Sequence, residues 1–482
     1  MTQQNTRSSD AGALNRRRFF YRAGQGLGGV ALASLLGSEA SSVYADERAI
    51  NPVAPRSGHF KPRAKNVIYL FMVGGPSNVD MIDFKPALAK YEGQPLPDSL
   101  QRFSQFAQIK EKQPKIMASP WKFSRHGESH RHVSELLPHL PEVIDDLAII
   151  RTVRTDETVH PFAEMMFNTG YREYGKPGIG AWVTYGLGSE SRDLPAYVVL
   201  QSGQRARGKA ANYSNGFLPP VYQGVPFRGA AEPVLNLHNP AGVTRAHQRD
   251  LVRTVGALNR LQYDLLRDSE IAARTSSYEL AFRMQRAAPE LMNLRQESAK
   301  TLNRYGISDP NENSLKRNCL LARRLIERGV RFVQLFHGDW DHHGDIKAAL
   351  PPEARQLDQA YAALIADLKE RGLLDETLVV CSGEFGRSSV AQQQVSGKVG
   401  RDHHTAAFPV WLAGGGVRAG VDVGRTDELG VYAVEDSVHV HDLHATILHL
   451  LGLDHEELTY RFQGRDFRLT DVAGQVVEKV LG

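Results

Sequence analysis

Short apolar runs punctuate this chain, and polar, glycine-bearing loops close several of them. The first is Asn66-Val-Ile-Tyr-Leu-Phe-Met-Val73, which ends in Gly74-Gly75-Pro76. Residues 147–150, 196–200, 331–336, 377–381 and 408–412 repeat the type. An unbroken apolar run of this length, with no polar alternation, is expected of a central parallel strand covered on both faces. Helical stretches fall between several of the runs, at 133–145, 314–328, 353–371 and 443–451. Strands alternating with helices predict an α/β fold, a three-layer sandwich whose central, mainly parallel sheet is flanked by helices. Residues 202–239 are irregular and rich in Gly and Pro, and 248–296 are strongly helical, so the two together predict a cap insertion near 202–300.

In such a sheet the ligand site lies beyond the carboxyl ends of the strands. Polar clusters fall there. Run 331–336 leads into His337-Gly-Asp339-Trp-Asp341-His342-His343, run 377–381 leads into Ser382-Gly-Glu384-Phe-Gly386-Arg387, and Arg401-Asp402-His403-His404-Thr405 just precedes run 408–412. Imidazoles and carboxylates brought from separate strand ends can hold a divalent cation and leave a position for substrate or water. A divalent ion takes roughly four to six donors, so some of these residues must stand behind the ligands or touch substrate. The metal candidates are Asp339, Asp341, His343, Glu384, His403 and His404. Such Asp/Glu/His sets accept zinc, manganese, iron or calcium, with zinc favoured here.

Three further groups carry candidate chemistry. Gly75 and Ser77, with Asp80 close behind, sit where a strand-to-helix turn can offer amides to an anionic substrate, although Gly-Gly-Pro is also ordinary turn chemistry. Arg387 and Arg401 can grip a sulfate or phosphate by paired hydrogen bonds, or else pair with neighbouring acids. His160, followed by Pro161, can supply a metal ligand, a general acid or a nucleophile, or can cap a helix beginning near Phe162.

The N-terminus places Asn15-Arg16-Arg17-Arg18-Phe19-Phe20 before a Gly/Ala/Leu-rich stretch at 23–37 and then Val43-Tyr44-Ala45. This order resembles a twin-arginine export signal over 1–45, cleaved after Ala45, with a Pro- and Arg-rich linker at 46–65. The implied partner is the twin-arginine export machinery, and the implied location is periplasmic or extracellular. Of the +4 formal charge, five arginines against Asp10 and Glu39 lie in the signal, which leaves 53 basic against 52 acidic residues. That balance gives nucleic-acid binding no support. Cys319 and Cys381 stand in apolar surroundings and are expected as buried free thiols, since two cysteines build no disulfide framework. No later apolar run is long enough to span a bilayer.

The polar clusters carry a resemblance. Asp339-x-x-x-His343, Ser382-Gly-Glu384-Phe-Gly386, His404-Thr405 running into 408–412, and the late Asp442-Leu-His-Ala-Thr-Ile-Leu helix are similar to motifs of the alkaline phosphatase superfamily, which includes sulfatases. More narrowly, the chain resembles a Tat-exported bacterial family of sulfatase-like proteins catalogued as a domain of unknown function. Its marks are Phe71-Met-Val-Gly-Gly-Pro-Ser77-Asn-Val-Asp80, Trp340-Asp341-x-His343, Gly383-Glu384-Phe-Gly-Arg387 and Gly400-Arg-Asp-His-His404. The resemblance covers 66–482 and implies one metal position built from an aspartate, His343 and His404, with Glu384 adjoining it. It also implies departures. Val73-Gly74 stands where sulfatases carry paired aspartates, Phe385 replaces a ligand histidine, and His160 occupies the place of the usual Ser or Cys nucleophile.

The implied activity is an exported metal-dependent hydrolase of sulfate or phosphate esters, sulfatase-like, acting on a small molecule or a polysaccharide. Arg387 or Arg401 would stabilise the developing anionic charge and His160 would protonate the leaving group. The alternatives are a non-catalytic periplasmic protein that retains the fold and one metal, and a hydrolase of another ester in polysaccharide.

Overall fold

Strand β1 (Asn66–Met72) alternates between two cores. Val67, Tyr69 and Phe71 face one, and Ile68, Leu70 and Met72 the other. Both faces are therefore dry, which explains the absence of polar alternation in its sequence. The computed structural model describes residues 51–482 apart from 103–105 and 229–232. The export signal and residues 46–50 of the linker lie outside the described residues. Among the described helices, none is long and apolar enough to cross a membrane.

Around β1 the sheet is built from β2 (Leu147–Arg154), β3 (Tyr197–Ser202), β4 (Val225–Phe227), β5 (Phe332–His337) and β6 (Thr377–Ser382). A hairpin of β7 (Gly386–Gln393) and β8 (Val399–His404) stands outside it, and β9 (Phe408–Ala413), β10 (Asp422–Val423) and β11 (Val438–His439) complete it. The order is β10-β2-β9-β6-β1-β5-β3-β4, with β11 also pairing β2. Among the described strands of this sheet, only β9 runs antiparallel to its neighbours. The carboxyl ends of β1, β2, β3, β5 and β6 thus share one edge with the start of β9.

Helices α1 (His160–Thr169) and α2 (Ile179–Leu187) and the late helix α7 (Val440–Leu450) cover one face. The other is covered by α4 (Ser269–Met292), α5 (Leu315–Glu327) and α6 (Ile346–Glu370), while α3 (Arg245–Leu266) packs on α4. The expected three-layer α/β sandwich is present. Ser314 caps α5 by accepting from Arg317 N, where the sequence places its start. Helix α6 begins seven residues earlier than expected, at Ile346, and carries Pro351 and Pro352 within it.

The helix expected at 133–145 is absent. Residues Arg131–Ser134 form a strand paired with Phe123–His126, and short 3₁₀ turns follow at Leu140–Glu142 and Ile144–Asp146. Val133, Leu136, Leu137, Leu140, Val143 and Ile144 are all buried, so their helix-like spacing reports burial. Pro138 and Pro141 prevent the helix itself. Asp442 is the third residue of α7 and forms a capping box with His439, its carboxylate accepting from the His439 amide. Both cysteines are free and buried.

Candidate metal centre

The loop after β5 approaches the end of β1 so closely that only glycine fits between them. Gly74 has φ +114°, and a Cβ there would lie 2.6 Å from Asp341 N. Val73 O accepts from Trp340 N at 3.2 Å, which fixes the loop that carries Asp341 and His343. Gly74 N donates to both carboxylate oxygens of Glu384, at 2.9 and 3.1 Å, joining the ends of β1 and β6. In the β7–β8 hairpin His403 lies opposite Arg387. His160 opens α1, reached through the segment that leaves β2.

Helix α1, the loop after β5 and the β7–β8 hairpin bring together His160, Asp341, His343 and His403, whose candidate ligand atoms all lie within 4.8 Å of one another. Asp341 Oδ1 lies 3.3 Å from His160 Nε2, 2.9 Å from His343 Nε2 and 3.7 Å from His403 Nε2. His343 Nε2 and His403 Nε2 are 3.0 Å apart. His160 Nε2 is buried and has no hydrogen-bond partner among the described residues.

The opposite nitrogens explain the convergence. His160 Nδ1 meets Glu384 Oε1 at 2.6 Å, His403 Nδ1 meets Thr158 O at 2.6 Å, and His343 Nδ1 meets Gln392 Oε1 at 2.5 Å. The Gln392 amide is oriented by its own donation to Gln108 Oε1. All three partners are acceptors, so each Nδ1 carries the proton and each Nε2 turns a lone pair toward the same point. Gln108 Nε2, 3.0 Å from His343 Nε2, can donate to one of these lone pairs, and the others with the carboxylate oxygen repel one another unless a cation or proton lies between them. Backing of the remote imidazole nitrogen by a carboxylate or carbonyl is the usual outer shell of a metal-bound histidine. The residues present therefore fit a divalent ion.

The electrostatics agree. Burial alone would raise the Asp341 carboxyl, but His160, His343, His403 and the Arg387 guanidinium outweigh it and hold it well below the usual carboxylate range. Burial opposes charge on His160, yet Asp341 and Glu384 raise its pKa above the ordinary imidazole value. The pocket demands positive charge, and protonation of His160 supplies it when no other cation is bound. Glu164, in the same neighbourhood, is pushed up to about 7 by burial, reinforced by the charge of Glu384.

The remaining expected site residues lie elsewhere. Glu384 is fully buried behind His160, as its support. His404 faces away on its strand, buried and brought down to about 4 by burial, and its Nε2 lacks a partner among the described residues. Asp339 turns outward to accept from Gln204 N at 3.3 Å. Arg401 spends its guanidinium on Asp80 in a buried two-bond pair of 2.7 and 3.0 Å, and Ser77 Oγ donates to the same carboxylate at 2.6 Å. That network leaves Arg401, Asp80 and Ser77 bound to one another and away from the four converging side chains. Gly75 O accepts from Arg387 Nε at 2.9 Å. Arg387, also fully buried, bonds the carbonyls of Gly74 and Arg401 and grips Asp341 Oδ1 at 2.7 Å.

Sequence reasoning did not single out Arg207, Gln108, Gln392 or Glu164. Arg207 Nη2 lies 2.6 Å from Asp341 Oδ2, and its side chain is 39% exposed. Glu164 holds that loop by accepting from Arg207 N and Gly208 N. Asp402 accepts from Gln108 N and Ile109 N and so seats Gln108 beside His343. Arg207 and Gln108 reach the centre from loops distant in sequence, while Glu164 on α1 and Gln392 on β7 sit on elements that already carry a candidate ligand but stand in no recognisable motif.

Residues 64–481 match the model of a family described as Protein of unknown function (DUF1501). No curated protein matches the chain. Among solved structures the fold is similar to a protein in the alkaline phosphatase superfamily from Vibrio parahaemolyticus, at 11% identity and TM-score 0.35, covering 83% of this chain and 70% of that one. It is likewise similar to alkaline phosphatase from the Antarctic bacterium TAB5, at 13% identity and TM-score 0.31, covering 80% and 98%. The lipoteichoic acid synthase LtaP from Listeria monocytogenes aligns at 11% identity and TM-score 0.34, covering 90% and 81%.

Proposed function

We propose that this chain, which belongs to the DUF1501 family, is an exported metal-dependent hydrolase of sulfate or phosphate esters whose ion is held by His160, Asp341, His343 and His403. The observation that carries the metal assignment is the convergence of three imidazole Nε2 atoms whose Nδ1 atoms are each committed to an acceptor. Zinc suits the set. Tetrahedral bonds of about 2.0–2.1 Å place donors roughly 3.3–3.4 Å apart; four of the six separations, 2.9, 3.0, 3.3 and 3.7 Å, surround that value, and all lie within 4.8 Å.

When bound, the ion supplies Lewis acidity toward an ester oxygen and acidifies water. The protein's own groups do the rest. Glu384 fixes the His160 ring, so His160 acts as a ligand and has no nitrogen free to protonate a leaving group. Arg387, spent on carbonyls and on Asp341, positions that carboxylate. Arg207 is the cation that reaches solvent at the centre, and its guanidinium can exchange Asp341 Oδ2 for an oxygen of a sulfate or phosphate group. Asp341 and His343 keep partial exposure, so substrate can approach from that side. The twin-arginine motif at Arg16-Arg17 supports export to the periplasm or beyond.

A second reading rests on the donor count. Four protein donors complete a tetrahedron, as in structural zinc sites, which suits a protein that binds metal without turnover. Metal analysis of the purified chain, followed by a panel of aryl sulfate and phosphate esters with and without chelator, separates the two. The hydrolase reading predicts about one divalent ion per chain, chelator-sensitive turnover, and loss of both in the His343→Ala/His403→Ala double variant. Metal retained by that variant overturns the assigned site. Bound metal with no ester cleaved favours the binding protein.

A further inference from the structure

Helix α3 is 22 residues long, none of them buried, and packs chiefly against α4. Its outward face carries Leu251, Leu258, Leu261 and Leu265, with Leu266 beside them, each between 46% and 84% exposed. The spacing from Leu251 is seven, three and four residues, with Thr254 filling the remaining inner position. That is the alternating three-and-four repeat of a coiled-coil seam. The side turned toward α4 carries Val252, Val255, Gly256 and Asn259 at intermediate exposure instead, so the leucine stripe is not the packing face of the domain. Asn259 Nδ2 donates to Thr275 Oγ1 of α4, which fixes the rotation of α3 and keeps the leucines outward.

From this stripe we infer that α3 is the dimerisation element of the protein, pairing antiparallel with α3 of a second copy about a two-fold axis near Leu258. The occupant follows from three features. A heptad seam is complementary to another such seam, and a two-fold axis makes one stripe serve both partners. Exposed apolar area on the order of 500 Å² per copy sits at the upper end of what monomers leave bare. Two such faces bury about 1,000 Å², the threshold for a stable interface. The direction follows from charge, because residues 245–255 carry Arg245, Arg249 and Arg253 against Asp250, a net charge of +2, while residues 256–270 carry Arg260 and Arg267 against Asp264, Asp268 and Glu270, a net charge of −1. Antiparallel pairing sets basic start against acidic end, and also opposes the helix dipoles.

Sedimentation of the full chain across micromolar concentrations tests this. The expected result is a dimer that dissociates on dilution, and a Leu258→Glu/Leu261→Glu/Leu265→Glu variant that stays monomeric at every concentration. Because these side chains are exposed, the variant should keep its melting temperature and circular dichroism spectrum. Under mild oxidation Leu258→Cys should cross-link to itself at least tenfold more than Leu251→Cys, which faces residue 265 across the axis. A wild type that is monomeric throughout, or a dimer that survives the triple substitution, overturns the proposal. A monomer that instead sediments with phosphatidylglycerol vesicles through these leucines also overturns it, and makes the stripe a lipid-facing surface. Equal cross-linking at 251 and 258 excludes the antiparallel arrangement.

Discussion

Glu384 decides which nitrogen of His160 faces Asp341, His343 and His403, since its carboxylate takes Nδ1 at 2.6 Å while Gly74 N fixes the carboxylate from behind. Replacing it by Ala frees the ring and leaves a buried amide without its acceptor. The expected consequence is a metal affinity about 10–100-fold weaker, the usual effect of removing such a support. Glu384→Gln, which keeps an acceptor but loses the charge, should fall in between. Titration against a chromophoric chelator measures both, and unchanged affinity in Glu384→Ala would show that His160 is not a ligand. At this scale the sequence was only partly legible. Residue types and their strand ends pointed to a cation, yet neighbours such as His403 and His404 look alike in a motif, and both are buried, until the hairpin register turns one to the centre and the other away from it. Asp80 and Arg401 look equally free in sequence, being separated by 321 positions, and become a closed pair only through tertiary contact.

Helix α7 shows what an element's packing does to a side chain. His444 lies on its buried face, donates Nε2–H to Phe167 O of α1 at 2.8 Å, and is brought down to about 3, chiefly by burial. An unfolded histidine takes its proton near pH 6.5, so between these values the unfolded chain binds more protons than the folded one. Stability is therefore full above about pH 6.5 and falls progressively as pH drops toward 3. A His444→Gln variant retains a donor without a titrating ring and should show a flatter acid limb, read as melting temperature against pH from 7 to 4. A variant curve parallel to wild type would place the acid sensitivity elsewhere. Central strands were legible as apolar runs because both their faces are dry. The direction of β9 was not, since such a run reads the same either way. The β7–β8 hairpin returns the chain to the carboxyl edge, so β9 must start there, and this brings His403 to the site.

Across the whole molecule the four candidate ligands tie together α1, the loop after β5 and the β7–β8 hairpin, segments that are up to 243 positions apart in the chain (His160 to His403). An ion that binds the folded centre and not the unfolded chain stabilises by mass action, about 2.7 kcal/mol at a hundredfold excess over its dissociation constant. In a chain of this size that corresponds to a rise on the order of a few degrees in melting temperature. Adding zinc to chelator-treated protein should therefore raise the transition, with a magnitude that grows with the logarithm of free zinc. The His343→Ala/His403→Ala variant should melt at one temperature with and without the ion, because it lacks two of the four proposed ligands. Leucine substitutions on α3 should leave the shift intact, since that helix contributes no ligand, which keeps loss of metal distinct from loss of assembly. A wild-type transition indifferent to zinc at saturating concentration would mean that the converging imidazoles are held by protons alone, with His160 charged and Asp341 as its counterion.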